Sequence, residues 1–405
     1  MALKKMLALT KGLEDPTHPL LGPTLKALSV FGLWQTGSQK STVIYNTFHF
    51  LTFLFVITEY IDLYTVRKDL SKMLNNLSVT VLSTICMIKT LSYVCRQSHL
   101  KVLVREISEL ELELMKTTDK NIVKRLRQYT VYTRAVTYVY WFLVVGINVV
   151  LLTSPLLKYA SSEIYRSEIK NGTEPPPLIL CSWFPFDSAR MPGYFWATMV
   201  HIIMSIQGCG VVATYDMNAV AVMSYLKGQT SILKDKCKAI FDETASSRDV
   251  LNRIRDCHRH HNILLRHYYM FNSLLSPIMF VYMLICSFTI CCSIIQLDSS
   301  ETTISQRIWI IQYSIGQISQ LFLYCWHSNE FAAKTRDLDR GVYESDWTKG
   351  DVFLRRQILL LAGKLSQTLI LNAGPYASLS IPTFITIMKG TYSFYTLFSQ
   401  IQDSE

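Results

Sequence analysis

Residues 376–400 read YASLSIPTFITIMKGTYSFYTLFSQ, and this stretch decides the fold class. At about 1.5 Å of rise per residue, a helix of about 25 residues is long enough to cross the roughly 30 Å hydrocarbon layer of a bilayer. Its one charge, Lys389, sits near the middle, where a lysine is unfavourable unless water or a partner is at hand. The Thr391-Tyr392-Ser393-Phe394 run adds polarity to the same segment. It therefore reads as a membrane span that lines something wet.

Outward from this stretch, six further apolar windows of spanning length recur, at about 43–64, 77–95, 135–157, 194–212, 271–297 and 304–326. Residues 352–371 form another, but Arg355, Arg356 and Lys364 interrupt it and Asn372-Ala373-Gly374-Pro375 should stop it. It reads as an amphipathic cytoplasmic helix leading into the last span. The expected fold is an all-α, polytopic membrane protein with seven transmembrane helices. Composition agrees: 50% of the 405 residues are hydrophobic and 17% are charged.

The net charge of +10 does not gather in one patch, which turns the reading away from nucleic acid. The basic residues fall between the apolar windows, and 30 of the 40 lie in the N-terminal segment and in the linkers 96–134, 226–267 and 327–373. The positive-inside rule puts these on the cytoplasmic face. Asn171-Gly172-Thr173 is a glycosylation sequon in a long loop assigned outside, whereas Asn76-Leu77-Ser78 abuts a span. The topology is then inverted, with a cytoplasmic N-terminus and an outer C-terminus. The expected organisation is a cytoplasmic segment over 1–42, spans one to four over 43–225 and a cytoplasmic linker and helix extension over 226–267. Spans five and six with an anchor region occupy 268–375, and the last span with its outer tail 376–405. The N-terminus, MALKKMLALTKGLEDP, resembles a signal peptide but has no small-residue cleavage site, so it is expected to stay on the chain.

Ten cysteines lie mostly in or beside apolar windows and read as buried thiols; Cys181 faces Cys291 and Cys292 as an open pairing option. Cys257 and His261 share a helix face with His258 and His260 nearby, but Arg253, Arg255, Arg259 and Arg266 surround them and disfavour a cation. No metal or cofactor is expected. The sequence has no metalloprotease His-Glu-x-x-His, P-loop or nucleophile elbow, so enzymatic function has no support.

Tyr343, Glu344, Ser345, Asp346 and Trp347 precede Gln357, Ala373-Gly374, Leu379-Ser380, Phe384 and Ile387-Met388-Lys389. Leu323-Tyr324-Cys325-Trp326-His327-Ser328-Asn329-Glu330 and Glu59-Tyr60-Ile61-Asp62-Leu63 complete the pattern. This order and spacing closely resemble insect odorant receptors, specifically over about the last 80 residues and architecturally before them. A G-protein-coupled receptor is the rival for seven spans, but its N-terminus lies outside, and neither Asp-Arg-Tyr nor Asn-Pro-x-x-Tyr is present. The gustatory receptors are the nearer rival; their terminal Thr-Tyr followed by Gln-Phe is replaced here by Thr391-Tyr392 and Phe398-Ser399.

The resemblance implies a ligand-gated, non-selective cation channel, with one last helix per subunit around a central pore. The subunit would form a heterotetramer with the odorant co-receptor in the plasma membrane of an olfactory neuron dendrite. The linker 226–267 is too short for the co-receptor itself. On the last helix, Lys389, Tyr392, Thr396, Leu397 and Ile401 become pore candidates, Leu397 and Ile401 forming a dewetting constriction. A volatile hydrophobic ligand would bind in the outer halves of the spans. Apolar faces at helical spacing nominate Tyr138, Trp141, Phe142 and Val145 on the third span, and Met199, Ile202, Ile203 and Ile206 on the fourth. Gln312, Tyr313 and Gly316 on the sixth and Val79, Leu82 and Ser83 on the second complete the expected ligand site.

Overall fold

Lipid offers no hydrogen bonds to a bare backbone, so a chain this apolar closes its bonds within helices. The structure is a computed structural model that describes residues 11–161, 163–171, 175–241, 246–298 and 304–402. In chain order the helices are α1 (Gly22–Val30), α2 (Gln39–Thr65), α3 (Leu70–Cys95), α4 (Gln97–Met115), α5 (Lys120–Ser161) and α6 (Glu163–Asn171). They continue with α7 (Gly193–Lys238), α8 (Ser247–Asp298), α9 (Ile304–Arg336), α10 (Arg340–Tyr343), α11 (Val352–Leu365) and α12 (Ile381–Gln402).

Seven of these, α2, α3, α5, α7, α8, α9 and α12, form the membrane bundle. Among the described residues, Gln39–Thr65, Lys72–Cys95, Lys120–Leu157, Gly193–Lys238 and Ser247–Leu297 are long and apolar enough to cross on length and composition alone. Helix α9 carries Gln317 and Gln320, both buried inside the bundle, and α12 carries Lys389. The outward face of α2 shows what surrounds the bundle. Phe50, Phe53, Leu54, Ile57 and Ile61 are exposed on it, a row that water would not tolerate and lipid would cover.

The apolar windows mark only parts of three helices. Helices α5, α7 and α8 hold 42, 46 and 52 residues and run on past the bilayer. Helix α7, whose apolar window ends near residue 212, continues unbroken to Lys238 because polar and apolar residues remain at helical spacing and no proline intervenes. These extensions meet α1, α4 and α11 in an anchor at one end of the bundle. Helix α11 is shorter than its apolar window. Asp351 caps it by accepting from Leu354 N at 2.7 Å, and it ends at Leu365, well before Asn372. At about 1.5 Å per residue its 14 residues are too short to span. Asn372-Ala373-Gly374-Pro375 instead turns a small hairpin, with Asn372 paired to Ser378 and Ala373 to Ala377.

Proline chemistry seats that hairpin. Pro277 inside α8 has no N–H, which frees the carbonyl of Ser273 to accept from Arg96 Nη1 at 2.8 Å. In the same turn, Asn272 Oδ1 accepts from Asn372 N and Ser276 O from Gly374 N. Gly374 has φ +66°, and a Cβ there would lie 2.8 Å from the Phe280 ring, so only glycine suits the turn.

Packing is uneven along the bundle axis. The main core draws on Leu20 and Leu28, on Leu103 and Ile107 of α4, on Tyr225 and Leu226 of α7, and on Ile358 and Leu365 of α11. Ion pairs stitch the surface of the same anchor: Lys227 with Glu330, Lys234 with Asp337, and Lys238 with Glu344. Each half-exposed pair contributes at most about 1 kcal/mol. Among the described residues the opposite end holds smaller clusters, such as Phe55 with Leu151 and Leu180. Loosely filled space is therefore found at that end.

Candidate ligand-binding cavity

A cavity of about 120 Å³ opens among α2, α3, α5, α7 and α9 in the loosely packed half. An engineered cavity of roughly 150 Å³ takes up benzene, so this one suits a small ring or short chain. Its walls are Thr52, Phe55 and Val56 of α2, and Val79, Leu82, Ser83 and Cys86 of α3. From α5 come Tyr140, Leu143, Val144, Ile147 and Leu151, and from α7 Met204, Ser205, Gly208, Cys209 and Val212. Trp309, Tyr313, Gly316, Gln317 and Gln320 of α9 complete the walls, with Leu180 above.

The loop that supplies Leu180 is tied down. Ser182 Oγ lies 2.7 Å from His201 Nε2, and Trp183 N donates to Thr58 O at 3.1 Å. A second cleft of about 460 Å³ beneath Pro175, Pro176 and Pro177 shares Val79, Leu151, Leu180 and Trp309 with the cavity.

Below the cavity lies a buried charge node. Asp216 Oδ1 accepts from Lys89 Nζ at 2.6 Å and from Tyr324 OH at 2.7 Å. Its Oδ2 accepts from Tyr140 OH at 2.8 Å and from Gln320 Nε2. Four donors on α3, α5 and α9 thus satisfy one carboxylate on α7, as burial of a charge demands. Lys89 Nζ also lies 5.3 Å from the ring centroids of Tyr215 and Tyr282. Tyr140 and Gln320 belong to both the node and the cavity wall. The sequence carried a signal for this pair: Lys89 interrupts an apolar span and Asp216 lies four residues beyond the end of another.

The residues expected at the ligand site divide by helix. Val79, Leu82 and Ser83 line the cavity, as do Tyr313 and Gly316; Gln312 is half-buried beside it. On α5 the expected face points elsewhere. Phe142 is 81% and Val145 60% exposed, Tyr138 is buried away from the cavity, and Trp141 Nε1 donates to Ala213 O at 3.1 Å. On α7, Met199, Ile203 and Ile206 are exposed and Ile202 is half-buried, all outside the wall. The physical reason is the solvent. In a membrane the most uniformly apolar stripe of a helix faces lipid, while the inward face mixes small, polar and aromatic residues.

Helix α12 packs through Phe384, Ile387 and Met388 against the main core and buries Thr391. Its other face carries Lys389 and Tyr392, the latter 65% exposed, and Thr396 Oγ1 bonds back to Ser393 O. Lys389 has no ion pair among the described residues. The side chains of Leu397 and Ile401 lie outside the described ones. Asn171 is exposed at the end of α6, and Gly172 and Thr173 lie outside the described residues. Asn76 is buried, its Nδ2 donating to Asp62 Oδ2 at 2.6 Å. Cys257 and His260 are buried in the anchor, His260 Nε2 lying 3.0 Å from Gln229 Oε1. Among the described residues no three His, Cys, Asp or Glu side chains stand together as metal ligands.

A family model described as 7tm Odorant receptor matches residues 69–392. Odorant receptor Or2 of Anopheles gambiae is 19% identical over 85% of this chain and 89% of its own length. Odorant receptor 30a of Drosophila melanogaster is 19% identical over 96% and 99%. The match to odorant receptor 10 of Aedes albopictus, 22% identical, spans 53% of this chain and 58% of that receptor. Among solved structures, the insect olfactory receptor OR5 from Machilis hrabei in complex with eugenol superposes with a TM-score of 0.80. That likeness is at 14% identity over 93% of this chain and 97% of that one, and it concerns the fold.

Proposed function

The chain belongs to the seven-transmembrane odorant receptor family, and on that premise we propose that it is the odorant-binding subunit of a ligand-gated, non-selective cation channel. The observation that carries this reading is the cavity of about 120 Å³ in the less tightly packed half of the bundle. It is mostly apolar, has a few fixed polar groups and suits a small volatile. The family is one of receptors, not of enzymes.

In this reading the subunit joins co-receptor subunits in a heterotetramer in the plasma membrane of a sensory neuron dendrite, with the anchor end cytoplasmic. A volatile reaches the cavity past the Pro175–Pro177 turn and favours the open state by binding it more tightly than the closed state. Tyr140 and Gln320 join the cavity to the Asp216 node. Two residues further along α9, Phe322 meets Phe384 of α12, ring centroids 5.6 Å apart. A repacking of α9 is thereby felt at the helix proposed to line the pore. The exposed face of α12, with Lys389 and Tyr392, is left for the pore or for neighbouring subunits.

Current recording from cells expressing the subunit with and without an odorant co-receptor, against a panel of volatiles, tests the proposal. Odorant-evoked cation currents that need both chains support it. A surface-expressed subunit that yields no current with any volatile, or a response that needs G-protein signalling, rejects it.

A further inference from the structure

The hydroxyl protons on the cavity wall are already committed. Thr52, Ser83, Tyr140, Ser205 and Tyr313 donate respectively to Phe48 O, Glu59 Oε1, Asp216 Oδ2, Asn148 Oδ1 and Ser78 O. Both wall glutamines also donate inward to the protein: Gln320 Nε2 to Asp216, and Gln317 Nε2 to Tyr313 OH at 3.1 Å. Of the two wall-glutamine carbonyls, Gln320 Oε1 accepts from Tyr282 OH at 3.0 Å and the other is left over. Gln317 Oε1 is buried and has no hydrogen-bond partner.

Its orientation is fixed by the network. Tyr313 gives its proton to Ser78 O at 3.2 Å, so its oxygen can only accept from Gln317. The amide nitrogen must therefore face Tyr313, and the carbonyl oxygen turns away from it. A buried carbonyl without a donor is unfavourable until one arrives.

We propose that Gln317 Oε1 sets ligand specificity by accepting a hydrogen bond from an O–H of the ligand. The favoured class is then small phenols and alcohols, with hydrocarbons of the same shape disfavoured. This inference rests on the proposed role of the cavity as the odorant site. It is distinct from shape selection, because it discriminates between molecules of equal volume.

The test uses the full-length subunit with a co-receptor and two isosteric pairs, phenol with toluene and cyclohexanol with methylcyclohexane. In the unaltered channel the hydroxyl member should be more potent by at least about 10-fold, since a site built to bond a hydroxyl penalises the analogue lacking it. Gln317→Met, similar in length, should bring each pair to within about 3-fold while leaving toluene and methylcyclohexane no weaker. The pairs in the unaltered channel decide the matter even if Gln317→Met fails to reach the surface. Equal potency within both pairs overturns the inference. So does a proportional loss of all four ligands in Gln317→Met at normal surface expression. If other volatiles act and respond to Gly316→Ala while both pairs stay level, the donor requirement falls and the cavity stands. If no volatile evokes current from the surface-expressed channel, the receptor reading falls and takes this inference with it.

Discussion

Lys89 Nζ stands 2.6 Å from Asp216 Oδ1, and both side chains are fully buried where α3 meets α7. An ion pair this deep is held by completeness: the carboxylate also takes hydrogen bonds from Tyr140, Tyr324 and Gln320. Removing one partner strands the other charge, which destabilises by about 3–5 kcal/mol. Lys89→Met and Asp216→Asn should each sharply reduce surface expression and the melting temperature of the solubilised protein. The double substitution should recover much of the loss. Single variants that melt like the unaltered protein would rule out the pairing.

The cavity predicts which face of α5 governs agonist choice. Ile147→Ala enlarges the wall and should shift preference toward bulkier ligands by about 10-fold, about 1–3 kcal/mol for each methylene of contact. A Cβ at Gly316 would meet Ile147 Cδ1 at 2.7 Å, so Gly316→Ala should shift preference the opposite way. Phe142→Ala, on the lipid-facing side, should leave the rank order intact. Dose–response curves over a size-graded series read all three. A changed order in Phe142→Ala alone would move the site.

On α12, Lys389 is exposed without an ion pair among the described residues. Lys389→Met should therefore change single-channel conductance or cation selectivity, with surface expression kept. Leu397→Ser, at the proposed constriction, should ease wetting and raise basal current. Expression loss with unchanged permeation would instead assign Lys389 a packing role between subunits.

Asn171 and Asn76 make a paired test of orientation. Asn171 is exposed, while Asn76 is buried against Asp62. Asn171→Gln should abolish a glycosidase-sensitive gel shift, and Asn76→Gln should leave it unchanged. An unglycosylated chain whose N-terminal tag is reached from outside intact cells would invert the topology.

The anchor should weaken in acid. Burial first, then the charge of Lys236, pushes His260 down to about 3, and burial pushes His261 down to about 4. Both lie below the ordinary 6.5, so their contribution is present above about pH 6.5 and is lost as pH falls toward 4. Glu111 runs the other way: burial lifts it to about 7 against a Tyr129 hydrogen bond. Its contribution is full below 4.5 and lost as pH rises through 7. Two histidines outweigh one glutamate, so melting temperature should fall between pH 6.5 and 4.5. Glu111→Gln should steepen that fall, and His260→Gln should flatten it.

The sequence by itself determined the all-α membrane fold, because length and apolarity alone decide whether a helix can cross a bilayer. Its motifs also carried the family likeness. On α3 and α9 it led to Val79, Ser83, Tyr313 and Gly316 at the cavity, since there the inward face is polar enough to stand out from the lipid face. On α5 and α7 the apolar stripe was the misleading signal: Phe142 and Ile203 face outward, and Tyr140, Ile147 and Gly208 face in. Only the tertiary structure decided that Lys89 meets Asp216 across 127 positions of sequence. Hydropathy registers each charge singly, and it is the rotation of packed helices that brings two of them together.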